Sequence, residues 1–489
     1  MLKSKTKKLL AISFMAIFVI STVSVASLGT PKTTQPTQTG TTITNTPADN
    51  YPDNKRPTFC ETGGAKSNTY ITEYKIPTAC VQPLGITTDP DGNVWFTESN
   101  SGNIGKFDPV NKTFQEFPNS QWQKSEKSMM WGIQYLQDGK LWYTDSQHNL
   151  VWKFNPDDKS YAKFIFPKTT GQEAFPQMLV KDGDKLLVND FTGRKIVTFG
   201  TDQTSQDLQS TVVPSPGDYN FTSAMAPDPN GNIWYTVWIY QQGGLLVKYD
   251  PQTGNHTQYN LPIDIQAPNG ISSDANGKLW ITDTASSYFF SFDPSSNQFT
   301  KFTTPPPAPS SYGNASGLIK TPISRPYWNY FDEQGRLWFN EQVANSLAVF
   351  NPATNSLVEY QVPSKNPNWS DCGTLSDCGV AQVLDFTVSH DKVWFTEWVE
   401  NNIGVLDMNT SLPFDLSDSQ PITLHRGENS TITLTVTPKV QMSYPLSVIT
   451  AQTAGPNNII ISSSQKEIST DKTKTISVSV SADNFALPG

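Results

Sequence analysis

The chain has 489 residues, with 35 Lys and Arg against 44 Asp and Glu, a formal net charge of −9. The pI near 5.1 excludes an extended phosphate-neutralising surface, so no nucleic acid is expected as a partner. The mean hydropathy of −0.42 excludes a multi-span membrane protein, and four Cys with four His argue against a zinc ribbon or a polyhistidine centre. Only 16% of residues are charged, against about 25% in typical globular chains. Ser, Thr, Asn, Gln and aromatics take their place, as in extracellular β proteins. At about 150 residues per domain, the length implies roughly three domains, unless one is a large repeat fold.

At the N-terminus, Lys3, Lys5, Lys7 and Lys8 precede an apolar run from Leu9 to Leu28. A basic segment followed by an apolar one, with Ser24-Val25-Ala26 as a small-residue cleavage site, reads as a signal peptide. The run is also about 20 residues long, enough to span a bilayer uncleaved. Residues 1–29 are therefore expected to be a signal peptide or, alternatively, a membrane anchor. Either way the remainder is exported, because the basic residues stay inside. The expected location is extracellular or at the cell surface, with the cell envelope as a partner. Residues 30–58 are Thr, Pro, Gln and Asn with almost no large aliphatics, a disordered stalk by composition.

Export makes the cysteines candidate disulfides. Cys372 and Cys378 are close in sequence and pair, leaving Cys60 with Cys80; a Cys80–Cys378 bridge between neighbouring blades is the rival. Asn111, Asn220, Asn255, Asn314, Asn368, Asn409 and Asn429 each open an N-x-S/T sequon. Chance gives a similar number in so polar a chain, so the sequence permits glycosylation without signalling it.

A repeat fills the middle of the chain. Its clearest copy runs Pro83-Leu84-Gly85-Ile86, the turn Asp89-Pro90-Asp91-Gly92-Asn93, then Val94-Trp95-Phe96-Thr97-Glu98. Ile104–Pro109 and Phe114–Pro118 follow. Each piece reads as a short strand and Asp-Gly is a strong hairpin signal, so one copy is an antiparallel meander of strands a, b, c and d. The Trp of strand b recurs as Trp95, Trp142, Trp234, Trp280, Trp338 and Trp394, with Leu187 in the third copy. That makes seven copies.

The seventh copy lacks a strand d after Leu406-Asp407, and the missing strand stands at the front as Ile71–Pro77. The expected fold is all-β, a seven-bladed β-propeller over residues 59–410 whose N-terminal strand closes the last blade. Closure removes the sheet edges that invite aggregation. The repeated Trp and Ile are expected as core between blades. Residues 411–489 change character: Thr431–Val436 and Ile476–Val480 alternate with period two, as in an immunoglobulin-like β-sandwich. Such modules continue from a Leu-Pro-Gly like Leu487-Pro488-Gly489 into a final strand, so the sandwich is expected to be incomplete.

The starts of the a strands and the ends of the b strands share one mouth of the channel, where ligand sites are expected. The b strands end in Glu98, Asp145, Asp190, Val237, Asp283, Glu341 and Glu397. Carboxylates there suit a hard cation, Mg²⁺ or Ca²⁺. A recurring Thr-Glu or Thr-Asp ending is also a structural device that caps the b–c turn. Glu341, Glu397 and Asp385 stand out because they fall in adjacent blades.

The segments GITTDPDGNVWFTESNSGNIGKFDP, GISSDANGKLWITDT and VWFTEWVENNIGVLD resemble the streptogramin B lyase (virginiamycin B lyase) family over about residues 70–408. The resemblance implies a seven-bladed propeller. It also implies a lyase that opens a macrocyclic depsipeptide ester by Mg²⁺-assisted elimination, with a His base at the mouth. The positions that correspond to the essential histidines, within a residue or so, are Gly85, Gly132, Met178, Ala224, Gly270, Tyr327 and Asp385. None is His. His148 lies in a b–c turn on the correct face, at the periphery.

Two functions follow as expectations. The first is a binding propeller without the lyase base, in which Trp131, Asn269, Tyr327, Trp328, Asn340, Gln382 and Trp398 contact a small-molecule, glycan or peptide ligand; aromatic faces suit stacking. The second is an Mg-dependent C–O lyase or lactone-opening enzyme on a cyclic depsipeptide-like substrate. In it Glu341 and Glu397 hold the metal and Asp385 is the base, with all three catalytic. A purely structural envelope component is a third reading.

Overall fold

A computed structural model describes residues 60–486, apart from 124–127, 170–172, 241, 314–322, 371, 376, 418–421, 442–444 and 449–457. The expected signal or anchor, the stalk, Asn314 and Leu487-Pro488-Gly489 lie outside the described residues. Among the described residues no helix is long and apolar enough to cross a membrane.

Between Ile71 and Asp407 the chain folds into seven four-stranded antiparallel sheets, numbered here 1 to 7 from Pro83 onward. In sheet 1, strands a to d are Pro83–Thr88, Val94–Glu98, Asn103–Asp108 and Thr113–Phe117. Sheets 2 to 6 repeat that order. Sheet 7 takes strands a, b and c from Val383–Ser389, Lys392–Glu397 and Asn402–Asp407, and its strand d is Ile71–Lys75. Glu73 stands opposite Gly404 there, so the front of the chain closes the last sheet.

The inner strands a of sheets 2 to 6 begin at Ile133, Pro176, Phe221, Pro268 and Pro326. Each touches the next around a ring, and sheet 7 returns to sheet 1. The fold is a β-propeller.

The repeated motif has a physical cause. Asp89 Oδ1 accepts the Asp91 and Asn93 N–H groups, which fixes the a–b turn, and its Oδ2 accepts Trp95 Nε1 at 2.9 Å. Asp228 and Trp234 repeat the bond at 2.8 Å, Asp332 and Trp338 also at 2.8 Å. One carboxylate thus caps the turn and satisfies the indole N–H that burial would otherwise strand. The ring itself packs between sheets: Trp95 meets Phe117 of its own sheet and Tyr135 and Phe154 of sheet 2. Full burial of a large apolar side chain contributes roughly 1.5–3 kcal/mol.

Both expected disulfides are present, Cys60–Cys80 and Cys372–Cys378, so the rival Cys80–Cys378 pairing is not formed. Beyond Asp407, a four-stranded sheet runs in the order Phe414–Leu416, Asn429–Pro438, Lys474–Ala482, Ile459–Ser463. A two-stranded sheet, Leu446–Ser447 with Glu467–Ile468, accompanies it. Val436, Ile468, Ile476 and Val478 form the small core of this region.

Candidate functional site

At the mouth the penultimate residue of strand b is Thr or Asn in six sheets; in sheet 4, whose strand b runs on to Ile239, Thr236 takes that place, and all seven are fully buried. The start of strand a is bulged in six of the seven sheets, and a bulge frees a backbone N–H from the ladder. Thr97 Oγ1 accepts one such N–H, from Gly85 at 2.9 Å, and donates to Met130 O on the way into sheet 2 at 2.8 Å. Thr144 donates onward to Gln177 O, Asn189 to Thr222 O, and Thr236 to Pro268 O. Thr282 donates to Tyr327 O, Asn340 to Val383 O, and Thr396 back to Leu84 O of sheet 1. Seven side chains therefore make one closed belt. Asn340, expected to contact ligand, is spent on it: Oδ1 accepts Trp328 N–H at 2.9 Å and Nδ2 donates to Val383 O at 2.8 Å.

Most of the terminal carboxylates cap their own b–c turns, as the structural reading anticipates. Glu98 Oε2 accepts from Ser101 and Asn103, and Asp145 from His148 N and Trp152 Nε1. Asp190 accepts from Phe175 N and Gly193 N and pairs with buried Lys195 at 3.0 Å. Asp283 accepts from Ala267 N and Ser286 Oγ, and Glu397 from Asn402 Nδ2.

Sheets 1, 6 and 7 add a second feature. Their strand b ends in Glu, their strand c carries Gly105, Ala348 or Gly404, and opposite it strand d carries Glu116, Glu359 or Glu73. The small residue leaves room for the two carboxyls to meet across strand c. In sheets 2 and 5 the terminal acid is Asp, and Trp152 or Phe290 fills that place opposite Lys163 or Lys301. Burial, then repulsion from Glu116, pushes Glu98 up to about 8. Burial and Glu359 hold Glu341 well above the usual carboxylate range, and burial and Glu73 do the same to Glu397. In each pair the strand b glutamate is thus the carboxyl held above the usual range.

This arrangement bears on the expected metal. Glu341 and Glu397 are each engaged with a glutamate of their own sheet, and among the described residues no three His, Cys, Asp or Glu gather. In separate sheets, Glu341 and Glu397 belong to no gathered set of oxygen ligands of the kind that Mg²⁺ or Ca²⁺ takes, among the described residues. Asp385, expected as base, is buried; Oδ2 accepts Ile86 N–H at 3.1 Å and Oδ1 accepts the Tyr330 hydroxyl at 3.4 Å. Burial raises it well above the usual range, and both of its oxygens are already taken by donors of the fold.

The aromatic residues do converge. Trp131, on the connection into sheet 2, reaches across the axis to sheet 6, 6.0 Å from Tyr327 and 6.3 Å from Trp328. Tyr327 and Trp328 are themselves 4.3 Å apart. The three are 6%, 1% and 1% exposed, so the stacking surface expected to be open is closed on itself. Trp398 packs edge-on against Trp369 at 5.5 Å. The Nε1–H groups of Trp131, Trp328, Trp369 and Trp398, with Gln382 Oε1 and Asn269 Oδ1, are buried without a hydrogen-bond partner among the described residues. The other side of the Asn269 amide donates to Ala267 O and Thr284 Oγ1.

Three elements escaped the sequence reading. Gln82, Arg325 and Gln382, each just before strand a of sheets 1, 6 and 7, have φ of 52°, 61° and 59°, a conformation costly for non-glycine residues and common at functional sites. Arg325 is buried; its Nε donates to Thr284 O at 3.1 Å, and burial lowers its pKa beside Tyr240, Tyr327, Tyr312 and Asp283. Trp369 arrives on the long connection between sheets 6 and 7, which the Cys372–Cys378 bridge tightens. Of the histidines, His148 Nδ1 lies 3.0 Å from both Asp145 oxygens, its ring 4.8 Å from Trp122.

A sequence model described as the virginiamycin B lyase family matches residues 69–370, well over half of the chain. The chain belongs to the virginiamycin B lyase family. Solved structures agree on the fold. Virginiamycin B lyase from Staphylococcus aureus superposes with a TM-score of 0.55 at 17% identity, over 69% of this chain and 98% of that one. A streptogramin B lyase gives 0.55 at 20% identity, over 70% and 98%. A catalytically inactive histidine-to-alanine form of the S. aureus enzyme, with quinupristin, gives 0.54 at 17%, over 69% and 98%. No curated protein matches in a direct sequence comparison. Membership in the virginiamycin B lyase family therefore fixes the propeller; at such identities it does not carry over an activity.

Proposed function

We propose that this family member is an exported seven-bladed propeller that binds a ligand at the mouth of sheets 6, 7 and 1 without the lyase histidine base. The proposed layout is residues 1–29 as signal or anchor, 30–58 as stalk, 59–410 as propeller and 411–489 as an immunoglobulin-like sandwich. One observation carries the binding reading: the buried indole N–H groups of Trp131, Trp328, Trp369 and Trp398 lack an acceptor among the described residues. A stranded buried donor costs about 1–3 kcal/mol, and a ligand with carbonyl or ether oxygens and apolar rings would relieve it. The aromatic cluster, closed on itself without ligand, parts to supply the apolar side of that fit.

A second reading, an Mg-dependent C–O lyase or lactone-opening enzyme on a cyclic depsipeptide-like substrate, is favoured by a different observation. The contact of His148 with Asp145 is how a carboxylate orients a general base. Quinupristin separates the two readings. The expected result is quenching of tryptophan fluorescence with no ring-opened product, with or without Mg²⁺. Metal-dependent linearisation would establish the second reading, and neither quenching nor product would remove quinupristin-like ligands from the first.

A further inference from the structure

The sequons acquire a pattern in three dimensions. Asn111, Asn220, Asn255, Asn368, Asn409 and Asn429 are all exposed, whereas fewer than a third of the other described asparagines are. Acceptance of a glycan also requires access to the hydroxyl residue two positions on. Thr113, Thr257, Ser411 and Thr431 are exposed. Thr222, which completes the Asn220 sequon, is fully buried with its Oγ1 2.9 Å from Ser215 Oγ. Ser370, which completes the Asn368 sequon, is half-buried and donates to Trp369 O at 2.8 Å.

The split follows the fold. In an antiparallel meander whose strand a starts at the mouth, the a–b and c–d turns lie on the far face. Asn111 and Asn255 sit in c–d turns, and Asn409 follows strand c of sheet 7, so all three are on the far face. Asn220 immediately precedes strand a of sheet 4, and Asn368 lies in the connection from sheet 6 to sheet 7, so both are on the mouth side. Asn429 opens the long strand of the C-terminal sheet.

We propose that Asn111, Asn255, Asn409 and Asn429 carry N-linked glycans, and that Asn220 and Asn368 at the propeller's mouth are left bare. The proposal rests on the export reading. In the transfer, Asn Nδ2 bonds to the anomeric carbon of an oligosaccharide carried on a lipid phosphate. The bond from that carbon to the phosphate oxygen breaks, the lipid phosphate leaves with the electron pair, and one amide proton is released. Only two of the four amides hold a side-chain bond that must give way, Asn111 to Asp108 and Asn409 to Asp391. Both bonds are exposed, so water can replace either partner as the amide is released.

The test uses the full chain recovered from its own cells. Cysteine oxidation is scored by alkylation before and after reduction, and each sequon peptide is weighed by mass spectrometry. The expected result is oxidised cysteines, one oligosaccharide on each of the Asn111, Asn255, Asn409 and Asn429 peptides, and bare Asn220 and Asn368. The variant with all four asparagines changed to Gln should run at its unmodified mass and keep its cysteines oxidised. Bare peptides at the four sites in oxidised protein overturn the proposal and leave export standing. Four alkylatable thiols overturn the export reading and the proposal with it. Sugar on Asn220 or Asn368 overturns the bare mouth.

Discussion

Thr396 Oγ1 donates a 2.7 Å hydrogen bond to Leu84 O, and that bond joins the last sheet of the propeller to the first. A Thr hydroxyl, or the amide of Asn189 or Asn340, makes the corresponding bond in every other neighbouring pair, so the inner ring is held by a belt of side chains as well as by apolar packing. Thr396→Val keeps the shape and removes the donor, leaving a buried carbonyl unpaired. It should cost about 1–3 kcal/mol, read as a lower urea midpoint at unchanged slope. Thr396→Ser should recover most of the loss. A Val variant as stable as the parent would mean that the belt adds nothing to closure.

The paired glutamates predict an unusual pH profile. Glu98 titrates near 8 in the fold, whereas an unfolded Glu titrates near ~4.3. Between those values the folded chain binds more protons than the unfolded one, so stability falls as pH rises across the window. Glu341 and Glu397, both raised, act with the same sign. Glu98→Gln keeps a donor toward Glu116 with no proton to lose. Its urea midpoint should therefore decline less than the parent's between pH 5 and about 8.5. Parallel profiles for the two proteins would show that the Glu98–Glu116 pair is not sharing a proton.

The repeat made the seven sheets, the closing strand and both disulfides legible, because each is written in local spacing: a turn, a Trp, an alternating strand, a Cys pair. The belt was only half legible. Thr before the terminal acid is visible in the sequence, but its acceptor belongs to the next sheet, a relation that strand periodicity does not contain. The acid pairs left a signal that went unread, since Glu98, Gly105 and Glu116 recur at the same spacing as Glu341, Ala348 and Glu359. The closure of the mouth is illegible for a tertiary reason: nothing in the segments of Trp131 and Tyr327 says that the two meet across the axis.

Trp328 offers a binding test that spares the packing. Trp328→Phe retains most of the apolar volume and deletes one stranded N–H. If a bound ligand accepts from it, affinity for quinupristin should fall about tenfold, the equivalent of roughly 1.4 kcal/mol, while the urea midpoint stays level or rises. The double change Trp131→Ala with Trp328→Ala should abolish capture. Quinupristin binding unchanged in both variants would remove the indoles from the site.

His148 and Glu397 decide what remains of the catalytic reading. Burial and Glu73 hold Glu397 above the usual range, and Gln keeps the shape with a donor toward Glu73, so Glu397→Gln should leave folding intact and Mg²⁺ affinity, measured by calorimetry, unchanged. A loss of Mg²⁺ binding in this variant would restore Glu397 as a ligand, and with it the metal-assisted route. His148→Gln keeps a donor to Asp145 but has no basic nitrogen. It should leave quinupristin binding within about twofold of the parent, a difference of roughly 0.4 kcal/mol. Should the parent linearise quinupristin, loss of that turnover in His148→Gln with binding preserved would assign the proton abstraction to the His148–Asp145 pair. Turnover surviving the change would leave the ring opening without a histidine base in the propeller, because His256 and His390 lie on the far face of sheets 4 and 7 and His425 lies beyond Asp407.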